Sequence, residues 1–288
     1  MNILITGANG YIGSNLITHL LKKEDYVIYA LSKSEIAISN DRFINIVCDL
    51  SGVHFTQKLP QGIDTVIHLA QSNQYRNFPE GAQDVFAVNI QSTQLLLEWS
   101  RKNNISKFIF SSTGNVYKPE NKLLTEKDAC EPIGYYGASK YAAEQLIHTY
   151  SQFFRTIVVR IFGVYGPGQK SMTIPNIIER IKSSTPITLA KGIGLNFTPL
   201  YISDCIEMLT HIIENKNKNK LYNLTGNETI HLGHLVELIS KFVNVVPKIK
   251  LTEDEPMYLT GSATLFNEDH QYNPAITIEE GLKKILHT

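Results

Sequence analysis

Tyr136 and Lys140 stand four apart in YYGASKYAAEQ (135–145). A helical pattern begins there, so both project from one face of its first turns. A phenol in that place can pass a proton to or from a sugar or alcohol oxygen. Its ordinary pKa of about 10 is too high for a base at neutral pH, and a neighbouring ammonium favours the phenolate. The same ammonium can hold a ribose hydroxyl. Taken alone, the pair reads more readily as a surface tyrosine beside a solvated lysine. A second signal, FIFSSTGNVY (108–117), ends an apolar run in Ser111-Ser112-Thr113. A hydroxyl at such an edge can hydrogen-bond a reacting oxygen and help set the tyrosine. A third, ILITGANGYIGSNLITHLL (3–21), spaces Gly7, Gly10 and Gly13 three apart. Glycine permits a tight turn and close approach of a ligand, and a helix N-terminus after it is an anion site.

These residues need a scaffold that brings them to one edge. Apolar runs at 3–5, 26–31, 44–50, 64–70, 107–112 and 156–162 read as buried strands. Helical patterns alternate with them: Val88, Leu95 and Trp99 share one face, as do Leu146, Tyr150 and Phe153. Alternating β and α predicts an α/β fold with a doubly wound parallel sheet, which takes its ligands at the carboxyl ends of its strands. After about residue 165 the texture breaks up. VYGPGQ is a Gly/Pro loop, and IPNIIERIK, DCIEMLTHII, LGHLVELISKFV and IEEGLKKIL read as short helices. The expectation is a dinucleotide-binding domain over 1–165 and a smaller α/β lobe over 166–288. NKNKNK (215–220) reads as a solvated loop.

The 288 residues carry 27 Lys plus Arg against 27 Asp plus Glu. That balance gives no global field for nucleic acid or an anionic membrane. Cys48, Cys130 and Cys205 are far apart and form no CxxC, which argues against a disulfide frame or a zinc site, and no metal is expected. A strand beginning almost at Met1 leaves no room for a signal peptide, and no apolar stretch reaches spanning length. The expected location is the cytoplasm.

In this order the motifs resemble those of the extended short-chain dehydrogenase/reductases, the NAD-dependent epimerase/dehydratase family. The resemblance runs through Thr6-Gly7-Ala8-Asn9-Gly10-Tyr11-Ile12-Gly13, Asp49-Leu50, His68-Leu69-Ala70, Asn89 ahead of Thr93, Ser-Ser-Thr with a following Val-Tyr, and Tyr136/Lys140. It continues through Arg160 with VYGPGQ and through YISDCIEML, where Asp204 matches a recurrent aspartate. It covers essentially the whole chain and implies a Rossmann fold. It implies that Thr113, Tyr136 and Lys140 form a catalytic trio. It implies a dinucleotide on Gly7, Gly10, Tyr11, Ile12 and Gly13, with Asp49 and Leu50 at the adenine and Leu69 and Ala70 beside the ribose. Asn89, Ser111 and Phe162 are expected near the same cofactor, and His68 as a packing residue. A homodimer through the helices at about 85–102 and 137–153 is also implied.

Departures from the pattern narrow the reading. Gly114-Asn115 stands where dehydratases place Asp-Glu, which argues against a 4,6-dehydratase. The second strand ends in Leu31-Ser32-Lys33 without a carboxylate. Ser32 and Lys33 can take a 2′-phosphate, so the expectation leans to NADP over NAD. The usual diphosphate-binding arginine is missing; either Lys170, Arg180 or Lys191 substitutes for it, or the substrate is not a standard nucleotide sugar. The first expectation is a C4 keto-reductase or dehydrogenase of a nucleotide-activated sugar. The alternative is a 4-epimerase using the same trio, and a dinucleotide sensor without catalysis ranks third.

Overall fold

The computed structural model describes residues 1–215 and 218–287; residues 216 and 217 of the expected 215–220 loop lie outside the described residues. Its elements in chain order begin with β1 (Asn2–Thr6), α1 (Tyr11–Leu20), β2 (Val27–Ser32), β3 (Phe43–Val47), β4 (Thr65–His68), α2 (Ala82–Phe86), α3 (Ser92–Lys102), β5 (Lys107–Thr113), α4 (Tyr135–Tyr150) and β6 (Arg155–Ile161). There follow β7 (Val164–Tyr165), α5 (Thr173–Lys182), β8 (Ile187–Ala190), β9 (Leu195–Phe197), β10 (Leu200–Tyr201), α6 (Ile202–Glu214) and β11 (Leu221–Leu224). The chain ends with β12 (Ile230–His231), α7 (Leu232–Val243), β13 (Ile249–Thr252), β14 (Met257–Leu259), α8 (Thr264–His270) and α9 (Ile278–Leu286).

Among the described residues, seven strands join in the order β11-β6-β5-β4-β1-β2-β3. The pairings of β1 with β2 and β4, of β2 with β3 and of β4 with β5 are parallel. Ile3, Leu4 and Ile5 are wholly buried, as a strand covered on both faces requires. The chain leaves β1 on one side of the sheet centre and β4 on the other, the switch point at which such sheets bind ligands. α1 buries Gly13, Leu16, Ile17 and Leu20 along one stripe. Between α2 and α3, residues Ala87–Gln91 form one wide π turn, a local widening that often marks a functional position.

The chain divides into two compact units. The first comprises 1–118, 129–160 and 209–222, and the second 119–128, 161–208 and 223–288. They are interleaved, where the sequence suggests one boundary at 165/166. Part of the reason lies in the end of α6. Lys107 of β5 donates to the carbonyls of Ile212, Ile213 and Asn215 at 3.0, 2.7 and 3.2 Å. Glu214 accepts from Tyr26 at 2.7 Å and pairs with Lys23. A cation at a helix C-terminus satisfies carbonyls that the helix leaves open. Within the second unit, β9 pairs antiparallel with β12 and parallel with β14, and β8 pairs with β13. Asp204 there accepts from the Tyr272 hydroxyl at 3.0 Å and the Ile276 amide at 2.9 Å. The four expected helices correspond to α5, α6, α7 and α9; α8 and the short strands carried no pattern strong enough to read.

One ion pair of the first unit is buried. Arg160 of β6 grips Glu144 of α4 through Nε to Oε1 at 3.1 Å and Nη2 to Oε2 at 2.6 Å, with side chains about 5% exposed. The Ser112 hydroxyl donates to the same carboxylate, and the guanidinium lies 4.5 Å over the Tyr117 ring. Removing one partner of such a pair strands the other charge in a low dielectric. Glu144→Ala should therefore cost about 3–5 kcal/mol in urea unfolding, and Glu144→Leu with Arg160→Met should cost clearly less. Equal losses in the single and double variants would show that packing, not charge, holds this position.

Candidate active site

The glycine turn closes β1 onto α1. Gly7 has φ +68°, and a Cβ there would meet the Cα and N of Ala70 at 2.8 Å. Gly10 is the N-cap of α1, and no side chain caps the helix or places an acid in its first turn. The helix thus presents its backbone N–H end without an internal counter charge, and the turn leaves no room for side chains. That is the arrangement a pyrophosphate fits. Tyr11 and Ile12 begin the helix, half-buried, and Gly13 packs back onto the turn. Leu69 and Ala70 follow β4 directly beside it, with the Leu69 amide bonded to Thr6 O at 3.3 Å. Leu50 is buried next to Asp49.

The expected trio comes from two elements. Thr113 ends β5, and Tyr136 and Lys140 lie on the first turns of α4. α4 approaches the turn after β5 so closely that a side chain on Gly137 would collide with the carbonyl of Asn115. Thr113 Oγ1 accepts from Asn115 N and Nδ2, both at 3.2 Å. Its own proton is thus left for a third partner. Lys140 is buried, donates to Ser111 O at 2.8 Å, and sits 4.7 Å from the Phe110 ring centre. Burial pushes its ammonium down to about 7, and Glu144 one turn along works in the opposite direction. Burial pushes the half-buried Tyr136 phenol above its ordinary value; the Thr113 hydroxyl opposes this and Tyr75 adds to it. Ser111 donates its hydroxyl to His68 O at 3.2 Å.

Residues 3–225 match the NAD dependent epimerase/dehydratase family. The chain belongs to that family. It is 27% identical to a Bacillus subtilis protein named as an uncharacterized UDP-glucose epimerase, YtcB, over 98% of this chain and 96% of that one. It is 26% identical to UDP-glucuronate 4-epimerase 1 of Arabidopsis thaliana over 99% and 76% of the two chains. Its fold matches the crystal structure of the Bacillus cereus UDP-glucuronic acid 4-epimerase in complex with UDP-glucuronic acid and NAD. The TM-score is 0.87 at 27% identity, covering 99% of this chain and 97% of that chain.

For a member of this family the remaining expected residues fall as follows. His68 is wholly buried, and its Nδ1 lies 2.6 Å from Thr6 Oγ1 and its Nε2 3.0 Å from Thr93 Oγ1. Thr93 spends its own proton on Asn89 O at 2.8 Å, so Nε2 must carry the imidazole proton. Burial, and then Lys140, hold His68 neutral down to about pH 3. Asn89, in the π turn, is wholly enclosed. Its Oδ1 accepts from Ser72 N at 3.0 Å and its Nδ2 donates to Ser139 Oγ at 2.9 Å. Asn89 was expected near the cofactor; in the structure its amide is engaged by the protein, as a clamp between the loop after β4 and α4. Phe162 lies in the second unit, buried against Gly261. Arg180 donates to Pro186 O and Lys191 pairs with Glu255, whereas Lys170 is exposed.

A residue the sequence reading missed is Gln71, whose Oε1 accepts from the Tyr136 hydroxyl at 2.8 Å. No spacing rule points to it. The one signal is its place directly after a strand whose carboxyl end faces the site.

At the end of β2 the anticipated 2′-phosphate receptor is otherwise engaged. Ser32 is 3% exposed and its hydroxyl donates to Ser34 O at 2.5 Å. Lys33 Nζ pairs with Asp49 Oδ1 at 3.2 Å, half exposed. Burial works against ionised Asp49, but the Ser51 bonds and Lys33 hold it below the ordinary carboxylate range. The lean to NADP thus loses its basis. Releasing Lys33 should restore it: Asp49→Asn should shift the ratio of NADP to NAD affinity, measured by calorimetry, roughly three- to ten-fold toward NADP. An unchanged ratio would mean that the Lys33 charge does not reach the ribose.

Proposed function

We propose that this chain is an NAD-dependent 4-epimerase of a nucleotide-activated sugar. The observation that carries the reading is the trio Thr113, Tyr136 and Lys140 gathered beside an uncapped glycine-turn helix, in a chain alike over its whole length to sugar-nucleotide 4-epimerases. The reductase expectation gives way, since a protein named as a UDP-glucose epimerase and a UDP-glucuronate 4-epimerase match at 27% and 26% identity and the fold matches a UDP-glucuronic acid 4-epimerase at 27%, whereas a dTDP-4-dehydro-6-deoxyglucose reductase of Escherichia coli stands at 24%. Against a 4,6-dehydratase, Thr113 is followed by Gly114 and Asn115, and Asn115 turns back to Thr113.

NAD, held by Gly7, Gly10, Tyr11, Ile12 and Gly13 with Asp49 and Leu50 at its adenine end, would supply the hydride acceptor and donor. The protein handles the proton. Tyr136 removes it from the sugar 4-oxygen and returns it, and the Thr113 hydroxyl donates to that oxygen. The Lys140 cation favours the phenolate while its burial keeps water from screening it. The substrate class and the choice of NAD rest on the similarity to proteins solved with those ligands. A homodimer through α3 and α4 fits the half-exposed Leu95, Trp99 and Tyr150 and the exposed Phe153.

Incubation with UDP-sugars and NAD should yield the C4 epimer by proton NMR with no net change in reduced cofactor. Stoichiometric consumption of reduced cofactor would return the protein to the reductases. Tyr136→Phe should lower turnover by at least about a hundred-fold while leaving NAD affinity within a few-fold. Turnover near wild type would take Tyr136 out of the chemistry. In sedimentation at micromolar concentration the protein should run as a dimer, and a monomer would reject the α3/α4 interface.

A further inference from the structure

The Tyr136 hydroxyl belongs to a closed circuit of hydrogen bonds. It donates to Gln71 Oε1 at 2.8 Å. The next residue, Ser72, donates its amide to Asn89 Oδ1 at 3.0 Å. Asn89 Nδ2 donates to Ser139 Oγ at 2.9 Å, and Ser139 Oγ donates to Tyr136 O at 2.8 Å. The loop after β4 is therefore fastened to α4 at both the backbone and the hydroxyl of one tyrosine. The Ser72 hydroxyl donates to Asp84 and accepts from Gln74 N at 3.0 Å, which fixes the loop on α2 as well. From the same loop, the Tyr75 ring leans on the Tyr136 ring at 5.0 Å between centroids.

A glutamine carbonyl accepts a proton that the phenol still holds and offers nothing to a phenolate in that orientation. We propose that Gln71 is a positioning residue that keeps Tyr136 protonated and aimed until a substrate oxygen takes the place of its amide carbonyl. This rests on the reading of Tyr136 as the proton carrier. The arrangement would couple release of the phenol proton to bulk water, which leaves Tyr136 as the phenolate that takes the sugar's proton, to arrival of the sugar, because only displacement of Gln71 frees the O–H. The other groups acting on the phenol are the Thr113 hydroxyl on β5 and Tyr75 in the loop, with Arg76 over the Tyr75 ring at 5.0 Å. None of them accepts the phenol proton in the structure; among the described partners that role falls to Gln71.

The test reads ionisation at position 136 directly. A ring-fluorinated tyrosine, intrinsically more acidic, is placed there in the full chain and titrated by fluorine NMR with NAD present. Gln71→Met removes the acceptor at nearly constant shape and should lower the midpoint by about one pH unit. Gln71→Glu, a stronger acceptor and a like charge to the phenolate, should raise it. Thermal melting and NAD binding within a few-fold of wild type certify that the variants are folded. A midpoint that stays put in Gln71→Met, or that rises, overturns the proposal; a rise would mean that the amide N–H faces the oxygen. Failure of the proton-carrier reading is separate: Tyr136→Phe would then keep its turnover, whatever the titration shows.

Discussion

A fully buried ammonium constrains the first unit more than any other group. Lys140 is 1% exposed, and an ammonium taken out of water needs acceptors and a compensating charge. It finds the carbonyl of Ser111, the face of Phe110 and, one turn along α4, Glu144. Glu144 is itself buried and in turn needs Arg160 from β6 and the Ser112 hydroxyl from β5. Each burial obliges the next. α4 is thereby tied to two strands by directional bonds as well as by the apolar contacts of Ala143 and Ile147, and apolar contact alone tolerates sliding. Tyr136 lies one turn before Lys140 and cannot move far from Thr113 without breaking that series. The depressed pKa of Lys140 is the cost of this arrangement, and it is held in check because Glu144 carries the opposite charge.

The parts of this site that were legible in the sequence are those fixed by backbone geometry or helical spacing. Three glycines between a strand and a helix, hydroxyls at a strand end, and a Tyr and Lys four apart each state where their atoms will lie. The strand runs were legible because parallel strands buried on both faces read as unbroken apolar stretches. Gln71 and the clamp made by Asn89 were not legible in the same way. Their roles depend on partners 65 and 50 residues away, and an amide carries no spacing signature. The NADP lean failed for a related reason. Lys33 read alone is a free cation, and only the fold brings Asp49 to it. The structure's interleaved units differ from the single boundary expected near 165, and one reason is that the end of α6 is capped by Lys107, from a strand about a hundred residues earlier.

One polar thread joins the residues beside the glycine turn to Tyr136. The Ala70 amide donates to Thr6, Thr6 to His68 Nδ1, His68 Nε2 to Thr93, and Thr93 to the carbonyl of Asn89. Asn89 then donates through Ser139 to the backbone of Tyr136. Every donor along it points the same way, and a buried network satisfied in this manner gains rigidity, whereas a half-satisfied one is costly. That direction explains why His68 resists a proton. A second imidazole proton would make Nδ1 a donor facing Thr6 Oγ1, whose own proton would then have to turn elsewhere. Thr6 is wholly buried, so no water stands ready to receive it. The neutrality of His68 is thus a property of the thread as much as of burial, and the histidine serves by holding β1, β4 and α3 in register instead of by exchanging protons.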